Sequence, residues 1–312
     1  MAEREDLIFK SGDERLAAWL YRPEGDAPEG GTPLVILAHG FAGVREARLW
    51  AYAERFAAAG IAAMVFDYRY FGDSSGTPRQ LLSIKRQIED WKAAVAHART
   101  LSGIDKARIA LWGTSFSGGH VIAVAAEDSR IAAVISQTPF ADGLPTLKQA
   151  GPGESARLTV AGLKDAARAA RGQEPLLIPA VGRPGETAAM TQPDSFDGYH
   201  ALFEPGQRFI NEFTARTALV IGSYRPTAKA AQVLCPLLVV VCAGDQVTPP
   251  GPAKKMGEKA RQGRVIEYGP EWGGHFNIYV GELFEKTIAD QIAFLKEALG
   301  VDSVVQGAYA GA

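Results

Sequence analysis

Apolar positions along the first third of the chain fall into short continuous runs rather than a helical or alternating pattern. Pro33 to Ala38 and Ile61 to Phe66 are such runs, and each ends in a polar residue, His39 or Asp67. Unbroken apolar runs of this length suit strands buried on both faces, as in a parallel sheet. Between them, Glu46 to Ala59 has helical composition and stops at Gly60, a helix-ending signal. Leu82 to Leu101 carries Ile84, Ile88, Trp91 and Val95 on one helical stripe, which predicts an amphipathic helix. Arg108 to Trp112 reads as a strand, Ser115 to Ala126 as a small-residue helix and Ile131 to Ser136 as a strand. Leu7 to Phe9 and Leu16 to Tyr21 precede them as two short strands around the turn Ser11-Gly12-Asp13. The repeated strand–helix order predicts an α/β fold, a mostly parallel central sheet with helices on both faces.

The rhythm breaks near Asp142. Residues 142–232 carry helix-like pieces interrupted by Pro and Gly, among them Leu158 to Arg171 and Gln207 to Ile221. Strand character returns at Pro236 to Val241 and Val265 to Tyr268, and Gly281 to Leu299 closes as a helix. The expected organisation is a core from 1–141 and 233–303, an inserted helical lid at 142–232, and a flexible tail at 304–312.

Composition narrows the functional classes. Of 312 residues, 33 are Lys or Arg and 35 are Asp or Glu. That near balance gives no global attraction to nucleic acid or to an anionic membrane. No apolar run is long enough to span a bilayer, and the charged start MAEREDLIFK has no apolar signal core. Two cysteines, Cys235 and Cys242, cannot form a disulfide framework and read as core thiols. The expectation is a soluble cytoplasmic protein with no membrane and no nucleic-acid partner. A homodimer is left open.

The sharpest chemical signal is Gly113-Thr114-Ser115-Phe116-Ser117, between a predicted strand and a predicted helix. A nucleophile on a tight strand-to-helix turn needs small neighbours on either side, as in G-x-S-x-G, with Ser117 replacing the final Gly. A serine nucleophile also needs a base, and the base an orienting acid. Asp245 follows the strand ending at Val241, and His275 follows the strand ending at Tyr268. Both leave strand C-terminal ends, where open α/β sheets build their sites. Ser115, Asp245 and His275 are therefore the candidate catalytic residues. Ser117 falls in the first helical turn, where its hydroxyl is expected to cap backbone N–H groups. His97, His120 and His200 lie apart from one another and from cysteine, so no metal site is expected. The chain has no G-x-G-x-x-G after its first parallel strand and no Walker A run, so no nucleotide cofactor is expected.

These residues resemble the α/β-hydrolase superfamily over nearly the whole chain, from Leu7 to Leu299. His39-Gly40-Phe41, Gly-Thr-Ser115-Phe-Ser, Gly244-Asp245, Gly274-His275 and the loop Phe71 to Gly76 carry the resemblance. The pieces Asn211 to Arg216 and Tyr224 to Pro226 are similar to the bacterial dienelactone hydrolase and acetylxylan-type esterase group. The resemblance implies an oxyanion hole from the backbone N–H groups of Phe116 and Phe41, with His39 bracing the loop. It implies a serine hydrolase without cofactor, acting on a small-molecule carboxylic ester. A thioesterase or a C–C bond hydrolase would use the same triad, and the fold also supports non-catalytic binding proteins. The insertion offers Phe196, Tyr199, Phe203, Phe209 and Phe213 as ring surface. Phe203 and Phe213, together with Trp272 three residues before His275, are the candidate substrate-binding residues.

Overall fold

The computed structural model describes residues 3–207 and 209–301. The expected tail at 304–312 lies outside the described residues. β1 (Glu3–Ser11) and β2 (Glu14–Arg22) form an antiparallel hairpin on one edge of the central sheet. The remaining sheet strands are β3 (Thr32–Ala38), β4 (Ala62–Phe66), β5 (Ile104–Thr114), β6 (Ala133–Gln137), β9 (Leu237–Cys242) and β10 (Gly263–Tyr268). The sheet order is β1-β2-β4-β3-β5-β6-β9-β10. Only β2 runs against the other strands: it pairs antiparallel with both β1 and β4, and every later pairing is parallel. β3, β4, β6 and β9 are buried at every position, which is why their sequences are continuous apolar runs.

Helices cover both faces. Between the strands run α1 (Leu49–Ala58), α2 (Ile84–Ala98) and α3 (Phe116–Ala125), and α9 (Gly281–Leu299) follows β10. In β5, Trp112 packs on Tyr52 of α1 at 4.7 Å between ring centroids and hydrogen-bonds Gln291 of α9 at 2.7 Å. Its neighbour Gly113 turns the other way, where any side chain would strike the Ser117 carbonyl and Val121 of α3. This alternation is the period-2 geometry of a strand. The amphipathic helix is shorter than the predicted span, Ile84–Ala98 instead of 82–101. Ser83 is extended and makes no side-chain cap. α9 coincides with the predicted Gly281–Leu299. α8 (Pro250–Lys259), between β9 and β10, was masked in the sequence by its Pro and Gly content, although a proline at a helix start is favourable.

Between β6 and β9 the chain forms α4 (Gly143–Ala150), α5 (Pro152–Ala170), β7 (Leu177–Ile178), α6 (Ser195–His200), β8 (Phe213–Thr214) and α7 (Ala218–Ile221). The expected helix over Gln207 to Ile221 is a correction: that stretch includes β8, which pairs with β7, then a 3₁₀ turn at Ala215–Thr217 and the single turn α7. Long-range partners override the local helical composition. Thr214 N donates to Gln80 O at 3.0 Å and Ala215 N to Leu176 O at 2.9 Å.

Asp165 on α5, fully buried, holds this segment together. Its carboxylate accepts from Leu176 N at 2.8 Å, Arg216 N at 2.9 Å and Arg216 Nε at 2.7 Å. The Arg216 side chain is 26% exposed and can turn to water, but removing the carboxylate strands the N–H groups it accepts from, at a cost of about 1–3 kcal/mol. Asp165→Ala is expected to lower unfolding stability by about that amount, read as an earlier urea midpoint. It should also bring protease cleavage into residues 171–190 before the sheet is lost. A midpoint unchanged from wild type would mean that this clamp does not hold the insertion.

Candidate active site

Ser115 occupies the turn between β5 and α3 with φ 54° and ψ −119°, a region that costs a non-glycine residue strain. The surroundings over-determine it. Ser115 N donates to Gln137 O of β6 at 2.9 Å, and Ser115 O accepts from Gly118 N at 3.0 Å and Phe140 N at 2.8 Å. A side chain at Gly113 would collide with the Ser117 carbonyl, and one at Gly40 would come within 2.8 Å of Ser115 Cβ. The small residues of the motif are therefore required by close approach.

Asp245 and His275 converge on this turn from the loops after β9 and β10. His275 Nε2 lies 3.1 Å from Ser115 Oγ, and His275 Nδ1 lies 2.6 Å from Asp245 Oδ2. A carboxylate facing Nδ1 makes that nitrogen the proton carrier, which leaves the Nε2 lone pair toward the serine hydroxyl. All three side chains are buried. Asp245 Oδ1 accepts from Val247 N and Thr248 N, each at 2.8 Å, while the Thr248 hydroxyl lies 2.8 Å from Oδ2 and 3.2 Å from His275 Nδ1. Sequence reasoning missed Thr248. The signal was present in the Asp-x-x-Thr spacing, since an aspartate that folds back onto N–H groups two and three residues later forms a local turn.

Phe116 is the first residue of α3, so its N–H is one of those the helix cannot satisfy itself. Phe41 lies across from it, the two rings edge to face at 5.4 Å. His39 Nδ1 is 3.0 Å from Gly40 O. Burial pushes the His39 imidazole down to about 3, so the ring is neutral and Nδ1 donates its proton to that carbonyl. In a trans peptide C=O and N–H point in opposite directions, so this bond also orients the N–H of Phe41.

Ser117 is a correction. It makes no helix cap; its hydroxyl lies 2.8 Å from Tyr68 OH and accepts from Trp91 Nε1 at 3.2 Å. The residue is fully buried against α2, so its hydroxyl pairs with those side chains instead of the helix end. Cys242 is a buried thiol, pushed up to about 12 by burial and then by the Asp245 charge, and Cys235 is pushed up to about 11 by burial. Neither is poised as a thiolate.

Two cavities meet at Ser115. The larger has about 890 Å³ of space, part of it open to solvent, between the C-terminal ends of the central strands and the insertion, with Phe116, Phe140, Leu147, Leu158, Met190 and Phe213 on its walls. Among the described residues, no Asp, Glu, Lys, Arg or His lines it. The smaller, about 380 Å³, lies on the His275 side and includes Tyr199, Phe276 and Tyr279. Of the candidate substrate-binding residues, Phe213 lines the larger cavity. Phe203 does not line either; it stacks on Phe209 at 4.9 Å, half-buried. Trp272, on a 3₁₀ turn, also packs against the core away from both walls.

His120 on α3 is fully buried, with Nε2 2.9 Å from Gln87 Oε1 and Nδ1 2.7 Å from Tyr224 OH. Burial, followed by the repulsion that a protonated His39 would exert on a protonated His120, pushes it down to about 3. The folded state therefore holds it neutral where the unfolded chain takes up a proton. Its stabilising contribution is complete above the unfolded value near 6.5 and is lost as pH falls from there toward 3. The stability deficit of His120→Gln relative to wild type should shrink by about 2 kcal/mol between pH 6.5 and 5, in paired urea titrations. A deficit independent of pH would mean that the imidazole titrates alike in both states.

The profile of the serine aminopeptidase S33 family matches residues 32–269. The chain is 46% identical to the quorum-quenching protein AidA of Acinetobacter baumannii (strain MDR-ZJ06) over 296 residues, 95% of each chain. It is 29% identical to the thiohydrolase aneE of Aspergillus aculeatus over 290 residues, 87% of each chain. Among solved structures, the α/β hydrolase GrgF from a Penicillium species superposes with a TM-score of 0.79 at 24% identity, covering 96% of this chain and 99% of that one. Acetyl xylan esterase 1 of a Thermoanaerobacterium species gives a TM-score of 0.58 at 20% identity, covering 95% of this chain and 84% of that one. The fold is thus that of the superfamily the motifs resembled, and the acetylxylan-type group is among its structural neighbours.

Proposed function

The chain belongs to the serine aminopeptidase S33 family of α/β hydrolases, and on that premise we propose that it hydrolyses a carboxylic ester through an acyl-enzyme on Ser115. The observation that carries this reading is the continuous chain Ser115 Oγ–His275 Nε2, His275 Nδ1–Asp245 Oδ2, opening onto two cavities. Ser115 Oγ attacks the carbonyl carbon as its proton passes to His275 Nε2. Asp245 holds the imidazole in the required tautomer and balances its transient charge. The N–H groups of Phe116 and Phe41 receive the oxyanion. His275 then returns the proton to the leaving oxygen, and water, activated by the same nitrogen, releases the acid.

The absence of ionisable side chains among the walls described for the larger cavity supports a neutral, largely apolar acyl group there, since an unpaired charge would lose its hydration. The leaving group departs on the His275 side, past the narrow recess lined by Tyr199, Phe276 and Tyr279. Residues 142–232 act as the lid, contributing Leu158, Met190 and Phe213 to the acyl cavity. Thioester cleavage is the second reading, favoured by similarity to a protein named as a thiohydrolase.

Steady-state hydrolysis of p-nitrophenyl acetate, butyrate and octanoate, beside the matching S-acyl thioesters, tests the reading. Ser115→Ala should lose on the order of 10⁶-fold in kcat, and Asp245→Asn on the order of 10⁴-fold with the fold retained. Ser117→Ala should keep most activity and lose about 1 kcal/mol of stability. A folded Ser115→Ala protein that still turns over ester at the wild-type rate would refute the proposal.

A further inference from the structure

The backbone that carries Phe41 N–H is strained and is held from outside. Ala42 has φ 54°, the left-handed region that a side chain enters at a cost. On its N-terminal side the Gly40–Phe41 peptide is fixed by His39. On its other side the Phe41–Ala42 peptide is fixed by a residue of the insertion. The Tyr199 hydroxyl, on α6, donates to Phe41 O at 2.9 Å in a fully buried bond. The approach depends on Gly43, where a Cβ would lie 2.8 Å from the Tyr199 hydroxyl.

The same ring also touches the residue next to the base. Tyr199 stacks on Phe209 at 4.6 Å and meets Phe276, the residue after His275, edge to face at 5.8 Å. Gly198 lets α6 rest directly on the Phe276 ring, 2.7 Å from where its own Cβ would be. One side chain of the insertion therefore contacts both the loop of one oxyanion donor and the segment that carries His275. Burial pushes the Tyr199 phenol upward, so it stays protonated as a donor.

We propose that Tyr199 is a positioning residue, whose bond to the Phe41 carbonyl sets the oxyanion hole only when the insertion is docked. The inference rests on the ester-hydrolase reading above. Its chemical content is that the bond acts in the transition state. The oxyanion forms only there, and a donor displaced by a fraction of an ångström loses most of its value there.

Tyr199→Phe removes the hydroxyl and keeps the ring stack. With p-nitrophenyl butyrate the variant should lose about 10- to 100-fold in kcat, below the 10²–10³ of deleting a donor outright, with KM within about threefold of wild type. Affinity for butylboronic acid, which forms a tetrahedral adduct on the serine, should fall by the same factor as kcat. Affinity for butyrate should hold, and the variant should stay folded with a melting temperature only a few degrees lower, as the loss of one buried hydrogen bond dictates. Gly43→Ala, which keeps the hydroxyl but forces it or the loop to shift, should move kcat and boronate affinity in the same direction. Wild-type kcat and boronate affinity in a folded Tyr199→Phe protein would overturn the proposal alone. So would a loss shared equally by boronate and butyrate binding, which marks a general packing defect. A wild-type protein that neither cleaves the ester nor binds the boronate overturns the ester-hydrolase reading and the proposal with it.

Discussion

The strained turn at Ser115 is the constraint on which the rest of the site depends. A residue with φ 54° and ψ −119° does not hold that conformation unaided. It is held by a strand before it, a helix after it, the β6 carbonyl that accepts its N–H, and two N–H groups that converge on its own carbonyl. Each of those partners belongs to the central sheet, to the loop after β6 or to the first turn of α3. The extended parallel sheet thus serves as the rigid body that keeps one hydroxyl exposed to two cavities. The absence of side chains at Gly40 and Gly113 follows from this, because both face atoms of the turn or of the first turn of α3.

Around that fixed point the polar groups are arranged with few uncompensated charges. Asp245 is buried but accepts from two backbone N–H groups and from the imidazole, and has the Thr248 hydroxyl within hydrogen-bond reach. That set of donors is what allows a carboxylate to be buried beside a histidine. His39 and His120, buried in the same layer, are pushed down to about 3. They act as neutral hydrogen-bonding spacers, one under the Phe41 loop and one between α3, Gln87 and Tyr224. Of the buried imidazoles in this layer, His275 is the one aimed at the serine.

Much of this was legible in the chain. Parallel strands announce themselves because full burial forces continuous apolar sequence, and the residues just past their C-terminal ends, Ser115, Asp245 and His275, stand out as polar interruptions. The order and type of those residues required no knowledge of packing. The insertion was less legible because its conformation is decided by distant partners. Gln207 to Ile221 has the composition of a helix, yet Leu176, Gln80 and Asp165 draw it into a strand and a 3₁₀ turn. The same limit explains Phe203, whose ring is spent on Phe209, and Ser117, whose hydroxyl finds Tyr68 and Trp91. The contact of Tyr199 with Phe41 joins residues 158 positions apart and leaves no local trace at either one.

The central claim is that Ser115, and no other nucleophile, forms the covalent intermediate. Incubation with a fluorophosphonate, followed by intact mass and peptide mapping, addresses it directly, because the phosphonyl group stays on the attacking atom. The account predicts one adduct per chain, on the peptide that contains residues 113–118 and localised to Ser115 by fragmentation, with none in Ser115→Ala or when His275 is replaced by Ala. An adduct on Ser117 or Cys242, or a wild-type protein left unlabelled under conditions that label a serine esterase to completion, would contradict it.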